Sequence, residues 1–163
     1  YWDGGYSGNP AIHPLIYQCE SRDIVLVQIN PLKRDTVPTT AGEILDRLNE
    51  ITFNAALMAE MRAIDFVKRL LHEGKLDASR YKDVLMHRID GGAALDAYTA
   101  ASKSATDAKL INALCALGQQ CAEQWLGKKS NAVGTTSSIS IARDYLDDLR
   151  VPVARDTPPH SGV

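Results

Sequence analysis

The stretch Asp23-Ile-Val-Leu-Val-Gln-Ile-Asn30 restricts the fold more than any other part of the chain. It is nearly continuously apolar and β-branched, the pattern of a strand buried on both faces. Strands of that kind belong to covered, mostly parallel sheets. A helix start follows at Thr40-Ala-Gly-Glu43, where the spacing is that of a capping box. Ile44, Leu48, Ile51, Ala55 and Met58 then make one helical stripe, continued by Met61, Ile64, Val67 and Leu71, with Gly74 placed to stop it. Residues 41 to 72 would span about 48 Å. That exceeds a small core, so the helix extends past the sheet, bends, or breaks around Thr52 to Asn54, where propensity is lowest. Phe53, Met58, Met61 and Phe66 read as core packing.

The remaining elements fit the same plan. Asn9 and Pro10 suit the start of a short helix towards Cys19, with Ile12, Leu15, Ile16 and Cys19 facing inward. Pro31 to Thr39 is a polar loop, and Lys75 to Lys82 is a polar connector with a turn after Asp77. Val84 to Asp90 reads as a second strand. Gly91 to Ala101 is irregular, anchored by Leu95 and Tyr98. A further helix is expected from about Asp107 to Gly127, burying Leu110, Leu114, Leu117, Cys121 and Trp125. Ser138 is placed to cap a last helix through Ile141, Tyr145, Leu146 and Leu149. The expected fold class is a helix-rich α/β domain over residues 1–150, followed by an irregular tail over 151–163.

Composition narrows the functional classes. A net charge of −2, with no long basic run, gives no general attraction to nucleic acid. Cys19, Cys115 and Cys121 are too scattered for a disulfide framework and fit a reducing, cytoplasmic compartment. No apolar run approaches the ~20 residues that cross a bilayer. His13, His72 and His87 have no metal-ligand spacing, and no phosphate-cradling loop is present. His87 and Asp90 fall on opposite faces of their strand, which argues against joint acid–base work.

The remaining candidate is Asp3, in Tyr1-Trp-Asp-Gly-Gly-Tyr-Ser-Gly-Asn-Pro10. Gly4 and Gly5 permit positive φ and close backbone approach, so the carboxylate can stand at a sharp turn. Tyr1, Trp2 and Tyr6 are placed to bury it partly, which would favour its protonated form. Ser7 lies in a sequence close to a nucleophile elbow, but Asn9 stands where the elbow requires a small residue, and no strand precedes it.

The segment Asp3-Gly-Gly-Tyr-Ser-Gly-Asn9-Pro10-Ala resembles the Asp-Gly-Gly block of patatin-like phospholipases. The strand Ile24 to Asn30, the helix start Thr39-Thr-Ala-Gly-Glu-Ile44, Asn49-Glu-Ile-Thr-Phe-Asn54, and Ser102-Lys103 ahead of a helix reaching Trp125 are similar to the bacterial branch of that family. The resemblance runs from Tyr1 to about Leu126. It implies the C-terminal portion of a mostly parallel sheet covered by helices, in a hydrolase of lipid acyl esters that works through a Ser-Asp dyad without a cofactor or metal. Asp3 matches the dyad aspartate, with Gly4 and Gly5 forming its turn. The family's Gly-x-Ser-x-Gly and oxyanion loop precede this block and have no counterpart between Tyr1 and Val163, so the chain alone is expected to be inactive. The implied partners are the upstream segment, an acyl-ester substrate and, peripherally, a membrane surface. The alternative from a different class is a non-catalytic helical module whose apolar stripes bind a partner or a membrane.

Overall fold

The computed structural model describes residues 1, 3–96, 98, 102 and 105–146. Its elements are α1 (His13–Gln18), β1 (Asp23–Gln28), α2 (Ala41–His72), β2 (Leu85–Asp90), α3 (Ala93–Asp96), α4 (Ala108–Lys129) and α5 (Ile141–Tyr145). The two strands pair in parallel, with Asp23 opposite Leu85 and Gln28 opposite Asp90. The mixed, helix-rich α/β class expected from the sequence is therefore present, with α2 as the crossover.

The crossover helix runs unbroken from Ala41 to His72, without the bend or gap considered at Thr52 to Asn54. Its capping box is complete: Thr40 Oγ1 accepts the Glu43 N–H, and the Glu43 carboxylate accepts the Thr40 N–H at 3.0 Å. At the other end the Lys75 N–H reaches Leu70 O and the Gly74 N–H reaches Leu71 O, with Gly74 at φ +67°. This Schellman pattern needs a left-handed residue, and glycine adopts it without a Cβ clash.

The core lies against one face of the sheet. Ile24, Leu26 and Met86 pack with Leu57, Met61 and Ile64 of α2 and with Ile141, Tyr145 and Leu146 at α5. Burial alternates along β1, and Val25, Val27 and Ile29 are exposed, so the two-face burial expected for this strand is corrected to one face. The α2 stripe also needs correction in its first half. Ile44, Leu48 and Ile51 are exposed, whereas Glu50, Asn54, Leu57, Met61 and Ile64 are buried. The reason is polar: the loop after β1 lies against this side of the helix and brings its own partners. Arg34 and Arg47 clamp the Glu50 carboxylate, the Asn54 amide donates to Pro31 O at 2.8 Å, and Arg47 Nη2 donates to Leu32 O. Phe53 and Phe66 are exposed, so only Met61 and, in part, Met58 take the packing role assigned to the four large side chains.

Smaller boundaries shift as well. The first helix starts at His13, with Pro14 in its first turn; Asn9–Pro10 is a cis peptide and lies ahead of it. Ile12 is buried just before the helix, while Leu15 and Cys19 face solvent. Asp107 caps α4 by accepting the Lys109 and Leu110 N–H groups, and the helix passes through Gly127 to Lys129. Its expected stripe is half-buried instead of buried. The last helix is capped by Ser140, not Ser138, since Ser140 Oγ accepts the Arg143 N–H. The calls on Trp2, Lys103, Leu149 and the 151–163 tail lie outside the described residues.

Candidate functional site

Asp3 caps a single 3-10 turn, Gly4–Tyr6, with its Oδ1 accepting the Gly5 N–H at 2.8 Å. A Cβ at Gly5 would sit 3.2 Å from that oxygen, so glycine keeps the approach open. At Gly4 nothing lies within 4 Å of such a Cβ, and neither glycine has positive φ. The special φ expected at this turn is thus corrected: capping by the carboxylate shapes it instead. Ser7 Oγ donates to Gly4 O at 3.1 Å and belongs to the same turn. Asp3 and Tyr1 are both exposed, so this part of the expected aromatic shelter is absent; the Trp2 and Tyr6 rings lie outside the described side chains. The residue is exposed, and its second carboxylate oxygen has no partner among the described residues.

A cavity of about 290 Å³ opens at the carboxyl ends of the two strands. Its apolar wall comes from Val27 on β1 and Ile29 just after it, Ile89 on β2, Leu95 in α3, and Leu114 and Leu117 on α4. In open parallel α/β sheets, ligands bind outside the carboxyl ends of the strands. Apolar walls with a few convergent polar groups are the usual form of such a site. The polar groups here are held in pairs. Arg88 Nε donates to Asp90 at 2.7 Å, and the Gly92 N–H reaches the other Asp90 oxygen. Burial pushes the Glu50 carboxyl up, but the hydrogen bonds and charges of Arg34 and Arg47 outweigh it and hold the group below its ordinary range.

Behind the cavity, Tyr145 Oη donates to Gln28 Oε1 at 2.8 Å, and the Arg88 guanidinium stacks over the same ring. Burial pushes the Tyr145 phenol up, which keeps it a donor. Gly91 borders the cavity, and a Cβ there would fall 2.4 Å from Leu95 Cγ. The absence of a side chain at Gly91 therefore sets how close Leu95 comes.

Asp3 does not line this cavity. His87 and Asp90 are kept apart, as alternation requires: His87 turns to Asp23, while Asp90 pairs with Arg88. The described residues contain no cluster of three His, Cys, Asp or Glu side chains suited to a metal ion. Sequence reasoning missed the Glu50 clamp, although a glutamate interrupting an apolar helix face, with arginines nearby in the chain, was a readable signal. The cavity was not readable, because it is assembled from four separate segments.

Compared with protein-family models, curated proteins and solved structures, the chain has no significant match.

Proposed function

We propose that this chain is the C-terminal portion of a patatin-like acyl-ester hydrolase, in which Asp3 is the base of a Ser-Asp dyad and Gly4 and Gly5 shape its turn. The observation that carries the reading is an exposed carboxylate fixed by one backbone bond, in a block that resembles the family's Asp-Gly-Gly, in a chain whose parallel sheet leaves apolar side chains of β1 exposed. A dyad aspartate must accept a hydrogen bond directly from the serine hydroxyl, take its proton during attack and return it to the leaving alcohol. An exposed carboxylate with one oxygen free of competing donors among the described residues suits that task. The exposed side chains Val25, Val27 and Ile29 offer apolar surface that an upstream segment would cover. The cavity at the strand ends has the apolar walls that an acyl chain requires.

The test is complementation. The 163-residue chain alone should leave a p-nitrophenyl acyl ester unhydrolysed, and joining it to an upstream Gly-x-Ser-x-Gly segment should give turnover. Equal hydrolysis with and without that segment contradicts the reading.

A second reading is favoured by a separate observation. Ile44, Leu45, Leu48 and Ile51 leave an apolar stripe exposed on the first half of α2, as a helical interaction or membrane-surface module would. No helix among the described residues is long and apolar enough to cross a membrane. Vesicle flotation with Leu45→Ser and Leu48→Ser variants tests it, since loss of binding requires the stripe and no change excludes it.

A further inference from the structure

The start of β1, the middle of β2 and the loop ahead of α5 bring three side chains into one hydrogen-bonded line. His87 is wholly buried, with Nε2 2.8 Å from Asp23 Oδ1 and Nδ1 3.1 Å from Ser138 Oγ. The same Asp23 oxygen accepts the Gly134 N–H at 2.8 Å. The Gly134 amide first, and then His87, hold the Asp23 carboxyl below its usual range. An ionised carboxylate only accepts, so in the neutral ring Nε2 carries the proton and Nδ1 is left as an acceptor. In that form Ser138 donates its hydroxyl proton to Nδ1.

The serine is held as well as bonded. Its N–H donates to Met86 O at 3.0 Å, and Ser137 Oγ accepts the Met86 N–H at 3.0 Å, which fixes this segment to the outer edge of β2. The Trp125 ring meets the imidazole edge-on at 5.9 Å and fixes the ring plane. Arg22 adds positive charge near Asp23 from the end of the strand. Ser138 itself is half-buried, whereas His87 behind it is wholly buried. A hydroxyl bonded to an imidazole that is oriented by a third group is the arrangement of an activated nucleophile.

We propose that Ser138 is such a nucleophile, with His87 as its base and Asp23 as the positioning carboxylate, and that it takes one phosphonyl or acyl group from a small electrophile with a good leaving group. With a fluorophosphonate, the Oγ–H proton passes to His87 Nδ1, an Oγ–P bond forms, the P–F bond breaks and fluoride leaves. Asp23 balances the imidazolium charge, and nothing is oxidised or reduced. Four of the nearby loop amides are already committed. Gly134 N–H serves Asp23, those of Thr135 and Thr136 serve Ala132 O, and that of Ser138 serves Met86 O. With no oxyanion donors supplied by these amides, the reaction stops at the adduct instead of turning over. This site is separate from the dyad proposed above and does not depend on Asp3.

The test is to expose the full chain to an alkyl fluorophosphonate and map the adducts by peptide mass spectrometry. The expected result is one adduct, at Ser138, forming at least tenfold faster than at exposed Ser79 and than at Ser138 in the urea-unfolded chain, with a rate that rises with pH. Ser138→Ala should remove it, Asp23→Asn should slow it tenfold or more, and Asp3→Asn should leave it unchanged. No adduct at Ser138 in the folded wild type, a rate equal to that of Ser79, or a rate flat with pH overturns the proposal. These wild-type comparisons decide even if Asp23→Asn fails to fold.

Discussion

The two faces of β1 have nearly the same sequence character and opposite fates. Ile24 and Leu26 are buried against α2 and α5, whereas Val25, Val27 and Ile29 on the other side are 45%, 67% and 64% exposed. The helix on that second side, α4, packs on β2 through Trp125 and His87 and stands across the cavity from Val27 and Ile29, which stay exposed. A β-branched apolar run measures how much covering a strand can accept, not how much this chain supplies. The difference is what the proposed hydrolase requires, since an upstream segment would have to seat on the open face.

The largest expected effect separates the two faces directly. Leu26→Asp places an unpaired carboxylate in the core and should cost about 4 kcal/mol or more. Val27→Asp, one residue along, should cost under about 0.5 kcal/mol in this chain. Urea unfolding of the two variants checks the contrast, and equal losses would break it. Next in size is Met61→Ala, at a fully buried position that faces the sheet from α2, with an expected loss of about 3 kcal/mol.

Glu50→Gln probes the polar part of the covered side. Its arginine partners are 26% and 27% exposed, so about 2 kcal/mol is expected, less than for a fully buried pair. The pH dependence has a definite sign. The Glu50 carboxyl is depressed in the folded state, so its contribution is complete above the unfolded value of about 4.3 and is lost as pH falls through the lower folded value. Denaturant midpoints of wild type and Glu50→Gln should therefore converge on acidification below that point. The smallest effect is at the cavity: Gly91→Ala should displace Leu95 for about 1 kcal/mol, and a structure of the variant should show the cavity reshaped.

Local signals carried much of the fold into view. The α2 limits were readable because a capping box and a left-handed glycine are satisfied by residues a few positions apart. Parallel pairing followed from two apolar runs separated by one long helix. What stayed hidden depends on distant partners. Glu50 is buried because Arg34 comes from the preceding loop, and the α4 stripe is only half-buried because a cavity separates Leu114 and Leu117 from Val27 and Ile29. At the candidate site, Asp3 at a turn was legible from Asp-Gly-Gly, but its exposure was not, since being next to Asp3 in sequence does not fold the Tyr1 ring over it. The line from Asp23 through His87 to Ser138 joins residues 64 and 51 positions apart, beyond the reach of any local pattern.

The central claim is tested most directly at Asp3. With the upstream serine segment joined to this chain, initial rates of p-nitrophenyl acyl ester hydrolysis should fall about a thousandfold or more on Asp3→Asn, because the serine loses its proton acceptor while the Gly4–Tyr6 turn keeps a capping side chain. An unchanged rate in the folded Asp3→Asn protein would contradict the assignment.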